Sequence, residues 1–115
     1  MYTANLSEEQ FPFISQVIVV DRRFIDLCHN MPAAVILSLT NQCHQLPTGW
    51  ARITMSETEW AELTGLTPKE VRQALKTLDT LKSPKGNHIW QKLSDKRTKT
   101  TSYRIIYTAL AECFQ

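Results

Sequence analysis

Residues 56–81 decide the fold of this chain, and they read SETEWAELTGLTPKEVRQALKTLDTL. Ser56 and Glu59 have the spacing of a capping box, in which a hydroxyl and a carboxylate satisfy backbone N–H groups that are otherwise unpaired at the start of a helix. Thr67 and Glu70 repeat this pattern, with a proline at the first helical position between them. The stretch therefore predicts two short helices, over residues 57–64 and 68–81.

Gly65 lies between the two predicted helices, where a tight turn requires a residue that adopts the left-handed conformation without steric cost. Ala61 is small enough to let the helices cross closely, and Val71 can fill the angle between them, so the spacing indicates a helix-turn-helix. Such a helix pair also occurs in proteins that never contact nucleic acid, so it does not by itself indicate DNA binding. The apolar positions predicted to be buried are Trp60, Leu63, Val71, Ala74, Leu75 and Leu78.

The second predicted helix carries a stripe of polar positions that its packing does not use. They are Lys69, Arg72, Gln73, Lys76 and Thr77, whose three- and four-residue spacing aligns them on one exposed face. An α-helix fits the major groove, where arginine pairs with guanine and glutamine with adenine, so Arg72 and Gln73 are candidate base-reading residues. The other three are candidate phosphate contacts. The alternative is an ordinary solvated helix face.

A basic hairpin is predicted to follow this helix. Residues 88–93 and 101–107 are rich in β-forming residues, and the polar stretch 94–100 between them predicts a long tip. Its basic side chains can lie along a phosphate backbone or enter the minor groove, and a solvated loop is the alternative. The basic residues of the hairpin are Lys92, Lys96, Arg97, Lys99 and Arg104.

The remaining elements complete a winged helix-turn-helix, a mainly α fold with a small antiparallel β-sheet. They are an N-terminal arm with a short strand over 13–20, a helix over 21–28 capped by Asp21, a core helix from Pro32 to about residue 45, a turn at 47–49, a strand over 50–55 and a closing helix over 108–114. A length of 115 residues with 43% hydrophobic content supports one core. We expect residues 1–20 to form the arm and short strand, and residues 21–115 to form the winged helix DNA-binding domain.

Charge is unevenly distributed along the chain. Residues 1–68 contain three Lys/Arg and seven Asp/Glu, whereas residues 69–104 contain ten Lys/Arg and three Asp/Glu. The net charge of +2 therefore conceals a strongly basic segment. Polyanion binding is the usual reason to keep such an imbalance, and a solvated lysine-rich face is the alternative.

An acidic patch of Glu57, Glu59 and Glu62 on the first helix of the pair opposes this interpretation, since that helix should approach the DNA backbone. Capping and the positive helix terminus account for part of this acidity but not for Glu62. These carboxylates must point away from phosphate, or the patch marks a contact with another protein.

The cysteines and histidines do not indicate a metal site or a disulfide framework. Cys28, Cys43 and Cys113 are odd in number and widely spaced, which favours free thiols in a reducing compartment. Two of them precede His29 and His44, but neighbours on a helix point in different directions, so buried thiols are favoured over a zinc site.

Enzymatic motifs are also missing from the sequence. It contains no glycine-rich phosphate loop and no HExxH, and its Ser and Cys residues have no partnered base. We therefore expect no enzyme activity and no cofactor. The scattered histidines, His29, His44 and His88, are interpreted as surface or packing residues. The tryptophans, Trp50, Trp60 and Trp90, are interpreted as core anchors.

The N-terminal segment predicts a cytoplasmic protein with no membrane partner. Glu8 and Glu9 lie where a secretory signal needs positive charge, and the apolar run 17–20 is too short to span a bilayer.

Five short segments carry a resemblance to a known family: residues 49–51 (GWA), 59–61 (EWA), 64–67 (TGLT), 69–78 (KEVRQALKTL) and 103–105 (YRI). Together they resemble the winged-helix domains of phage and plasmid replication proteins, among them replisome organisers and DnaD-like initiators, over roughly residues 20–110. The resemblance implies binding to origin or promoter DNA, often as a dimer or within a larger initiation complex. These 115 residues do not include the downstream domain by which fuller members would recruit a helicase or primase.

We therefore expect sequence-specific binding of double-stranded DNA in replication initiation or control on a phage, plasmid or other mobile element. A transcriptional regulator of the same fold is the nearest alternative. A module that docks on host or phage proteins through the acidic patch or the basic hairpin is the alternative from another class. A homodimer and a larger replication or transcription complex both remain open as assemblies.

Overall fold

The computed structural model describes residues 18–44 and 53–115, which are mainly helical with a small antiparallel sheet, as predicted. Its elements are α1 (Arg22–Cys28), α2 (Met31–His44), β1 (Ile53–Thr54), α3 (Glu57–Thr64), α4 (Pro68–Thr80), β2 (Trp90–Asp95), β3 (Thr100–Ile105) and α5 (Tyr107–Glu112). Where they are described, the helix and hairpin-strand boundaries lie within two residues of the predicted ones. Residues 18–20 of the predicted N-terminal strand are described and are not in a strand, although Val20 packs against the core. The rest of the predicted arm, the turn at 47–49 and residues 50–52 of the predicted second strand lie outside the described ranges.

The caps and the turn between α3 and α4 follow the sequence prediction. Ser56 Oγ accepts from the Glu59 N–H at 3.1 Å while Glu59 Oε1 accepts from the Ser56 N–H at 3.0 Å, and the same reciprocal pair forms at the start of α4. Gly65 has a φ of 76°, and its N–H donates to the Ala61 carbonyl at 2.9 Å. Val71 is fully buried, as its predicted place between the two helices requires.

One predicted core residue of this pair is exposed. Leu63 has 46% of its surface exposed, which contradicts its prediction as a buried residue of α3. The buried side of this short helix consists of Trp60 with the partly buried Ala61 and Thr64, so Leu63 falls at its margin.

The sheet has the order β1-β3-β2, and both pairings are antiparallel. Trp90 lies opposite Ile105 and Lys92 lies opposite Tyr103. Because side chains alternate between sheet faces, Lys92 shares the inner face with these buried residues, and Arg104 lies on the outer face. The β2–β3 ladder extends to the Asp95–Thr100 pair, so the tip is four residues, 96–99, and is shorter than predicted.

Three aromatic rings join the sheet to the helices. The Tyr103 ring centroid lies 5.8 Å from that of Trp60 on α3 and 5.5 Å from that of Trp90 on β2, and all three side chains are buried. Aromatic pairs at these separations stabilise a core beyond the area they bury. Trp60 and Trp90 are therefore core anchors, as predicted, and Trp50 lies outside the described residues.

A polar cluster fastens α5 to the turn between α4 and β2. Glu112 Oε1 accepts from the Ser83 hydroxyl at 2.5 Å and from the Asn87 side-chain amide at 3.0 Å. These two hydrogen bonds, with a smaller effect of Lys85, hold the pKa of the Glu112 carboxyl below its ordinary value. The last helix is thus held by a carboxylate in addition to its apolar contacts.

Gly65→Ala should destabilise the protein by about 1 kcal/mol, because a side chain makes the left-handed conformation costly. A Cβ built at Gly65 meets nothing within 4 Å, so the cost is conformational and not a clash. Urea unfolding measures the loss, and Gly65→Asn is the control because asparagine tolerates this conformation better. Equal losses for the two variants would contradict this explanation.

The contribution of Glu112 to stability should disappear in acid. Since its folded pKa is lowered, the carboxylate favours folding above its ordinary value of 4.5, and this contribution is lost as the pH falls through the lowered folded pKa. We therefore expect the difference in free energy of unfolding between wild type and Glu112→Gln, measured with urea, to be constant near neutral pH. This difference should become smaller below pH 4.5. Glu62→Gln, at an exposed carboxylate without these hydrogen bonds, is the control, and a gap that widens in acid would refute the interpretation.

Candidate nucleic-acid interface

Helix α4 presents one face to the core and another to solvent. Its buried side chains are Val71, Ala74, Leu75 and Leu78, all four as predicted. Lys69, Arg72, Gln73 and Lys76 are exposed on the opposite face. Thr77 is half-buried, and its hydroxyl donates to the Gln73 carbonyl at 3.0 Å within the same helix.

A groove runs between α4 and the inner face of the hairpin, and we call it the α4 groove. Its predicted DNA-contacting residues are Lys69, Arg72, Gln73, Lys76 and Lys92. The other lining residues are Glu57, Leu75, Asp79 and Tyr103. Four of the five predicted residues of the helix stripe therefore share one surface with a predicted residue of the hairpin. Thr77 is not part of this lining.

A second concavity, which we call the α3 recess, lies between the start of α3 and the hairpin. Its charged lining residues are Glu57, Glu59, Lys92 and Lys99. Two residues with opposite charges, Glu57 and Lys92, therefore line both concavities, together with Tyr103. Lys92 is the point where the two surfaces meet.

The five basic residues predicted in the hairpin do not form one patch. Lys92 lines both concavities and Lys99 lines the α3 recess, whereas Lys96 and Arg97 are exposed in the tip. Arg104 lies on the outer sheet face, where its Nε donates to the side-chain oxygen of Gln91. The register of the hairpin thus separates Arg104 from Lys92.

The acidic patch is divided as well. Glu59 is engaged in the α3 capping box, Glu57 faces the two concavities, and Glu62 is exposed and lines neither of them. Only part of the acidity that opposed the sequence interpretation therefore lies beside the basic hairpin.

The cations of the α4 groove are not neutralised by close ion pairs. Among residues 18–44 and 53–115, none of the groove cations has an ion pair with a separation below 4.0 Å, and the ion pair between Arg23 and Asp21, at 2.8 Å, lies outside the groove. The groove presents four cationic side chains, from Lys69, Arg72, Lys76 and Lys92, against two carboxylates. It therefore has an excess of positive charge that an anionic ligand can neutralise.

Tyr103 is a lining residue that the sequence analysis did not identify. The residue is only 3% exposed, yet it contributes to the walls of both concavities. Burial raises the pKa of its hydroxyl, and the charges of Glu57 and Asp79 raise it further, so the group stays protonated near neutral pH. Alternation along β3 predicts that Tyr103 faces inward, but its place opposite Lys92 depends on the strand register.

The side chains of two cysteines and two histidines lie among the described residues. Cys28 is a buried free thiol, as predicted, and burial raises its pKa to about 12, while Cys113 is half-buried. The side chains of Cys43 and His44 lie outside the described residues, and His29 and His88 are exposed.

Among those same residues, no three or more His, Cys, Asp and Glu side chains cluster as a metal site would require. None of the helices described is long and apolar enough to cross a bilayer. In comparisons with known proteins, no family model, curated protein or solved structure matched this chain.

Proposed function

We propose that this chain is a winged helix-turn-helix protein that binds double-stranded DNA, with α4 in the major groove and the hairpin beside the backbone. One observation carries the proposal: the exposed stripe of α4 and Lys92 of the hairpin line the same groove. Had Arg72 and Lys76 been buried, or separated from the hairpin, DNA binding through these two elements would have had no support.

The dimensions of α4 suit this role. Lys69 and Lys76 are seven residues apart, which corresponds to about 10 Å along a helix axis. Since base pairs in duplex DNA are stacked about 3.4 Å apart, the stripe covers roughly three of them. Arg72 and Gln73 lie in the middle of this length, where bidentate contacts to guanine and adenine are most direct.

The hairpin suits contacts with the DNA backbone. Lys92 lies beside α4, and Lys96 is four residues further along, which corresponds to about 13 Å of extended strand. Lys96, Arg97 and Lys99 therefore lie where they can reach phosphates or a neighbouring minor groove. Arg104, on the outer face, is available only to a duplex that extends around the hairpin.

The biological setting we propose is replication initiation or control on a phage, plasmid or other mobile element, because the sequence resembles initiator domains of that class. Transcriptional regulation would use the same interface. Sequencing the DNA fragments that the purified protein retains from a library would separate the two roles by the location of the sites.

A second candidate is a protein-docking module, favoured by the exposed Leu63 beside Glu62 on α3. An exposed apolar side chain next to a carboxylate suits a contact with another protein. Titration of a labelled duplex at low salt separates the candidates. If the folded protein does not bind DNA, the DNA-binding proposal is excluded and the protein-docking module is favoured.

If DNA is bound as proposed, log K should fall with log salt with a slope of roughly −4 to −5, as four to six phosphate contacts require. Lys92→Ala should reduce the magnitude of this slope by about 0.9, the contribution of one phosphate contact to duplex DNA. Arg104→Ala is the matched control, since it removes a cation from the opposite face of the same hairpin. Equal effects of the two substitutions would rule out the α4 groove as the path of the backbone.

Arg72→Ala should relax sequence preference by about 1–3 kcal/mol at one base position, because a bidentate base contact discriminates by that amount. Lys99→Ala should instead weaken binding to all sequences alike. Affinities for a selected duplex and for its single-base variants measure both effects. A uniform loss with Arg72→Ala would mean that this arginine contacts phosphate.

A further inference from the structure

The α4 groove is cationic but contains one carboxylate at a position that matters. Glu57 is the first residue of α3, it is exposed, and it lines both the α4 groove and the α3 recess next to Lys92. Any phosphate that Lys92 attracts into either concavity therefore also approaches Glu57.

Glu57 keeps its negative charge free of close partners. The neighbouring carboxylate of Glu59 accepts the Ser56 N–H in the capping box, and that of Glu70 does the same for Thr67. Within the described ranges, the Glu57 carboxylate has neither a hydrogen bond nor an ion pair below 4.0 Å. After burial, the charge of Glu57 also raises the pKa of Tyr103, with which it lines both concavities.

Helix capping does not require a carboxylate at this position. The capping box satisfies the N–H groups of Ser56 and Glu59 without Glu57, whose carboxylate adds a favourable interaction with the helix dipole. Replacing Glu57 with glutamine should therefore cost little stability, since only the interaction with the helix dipole is lost. The carboxylate at position 57 is therefore not needed to cap α3, yet it lines both concavities.

We infer that Glu57 limits the affinity of the protein for DNA of any sequence, so that a stable complex requires the base contacts from α4. The inference rests on the proposed function. Its physical basis is repulsion between Glu57 and the phosphates held by Lys92, which acts on every sequence alike. Base contacts of Arg72 and Gln73 then make up a larger share of the specific affinity.

The test compares wild type with Glu57→Gln, Glu57→Ala and Glu62→Gln, using a fluorescein-labelled duplex of random sequence and a duplex selected by the wild type. Glu62 is the matched control because it is an exposed carboxylate on the same helix that lines neither concavity. Circular dichroism checks that each variant is folded, and the alanine variant tests whether any effect depends on the amide that glutamine introduces.

Both Glu57 variants should bind the random duplex about three- to fivefold more tightly at low salt, as expected for removing one nearby like charge in water. The gain should shrink as salt screens the charge. The selected duplex should gain by a similar factor, because the repulsion acts on both duplexes alike. Glu62→Gln should stay within about twofold of wild type, because Glu62 lines neither concavity.

Three results would overturn the inference. The first is unchanged or weaker DNA binding by the Glu57 variants. The second is an equal gain in affinity for Glu62→Gln, which would indicate an effect of net charge alone. The third is a gain in affinity for Glu57→Gln but not for Glu57→Ala. If the wild type and all variants are folded but bind neither the random duplex nor any duplex of the library, the proposed function fails and the inference fails with it. Binding by wild type with no effect at Glu57 removes only the inference.

Discussion

The packing of Tyr103 between Trp60 and Trp90 is the interaction on which the arrangement of the surface depends. These contacts, with ring centroids 5.8 and 5.5 Å apart, fix the inner face of the sheet against α3. Lys92 is the strand partner of Tyr103, so the same packing sets the position of the lysine beside α4. A side-chain cluster that contributes mainly to the core thereby determines which cation lines the groove.

Features of the fold that depend on neighbouring residues were predictable from the sequence. The two capping boxes and Gly65 follow from interactions within four residues, and they are found where the pattern indicates. The helical spacing also gave the exposed stripe of α4, except that Thr77 is half-buried. The hydrogen bonds of Glu112 with Ser83 and Asn87 join positions that are 29 and 25 residues apart in the sequence, so no local pattern predicts them. Leu63 was predicted wrongly because three-residue spacing from Trp60 does not say how wide the buried side of a two-turn helix is.

The candidate site was predictable by residue type but not by geometry. Composition identified the basic residues of the hairpin, yet sequence alone could not assign Lys92 and Arg104 to opposite faces. A shift of one residue in the strand register would exchange the two faces. The register follows from burial of Trp90, Tyr103 and Ile105, which belongs to the tertiary packing.

The distribution of charge over the two concavities indicates which of them suits a phosphate backbone. The α4 groove has four cations against two carboxylates, whereas the α3 recess has two against two. Lys92 and Glu57 belong to both concavities. The difference therefore comes from three cations against Asp79 in the α4 groove, and from Lys99 against Glu59 in the α3 recess. A backbone strand drawn to Lys92 therefore gains more on the side of α4, where base edges are also within reach, so that under the proposed function the electrostatic and base-reading surfaces coincide.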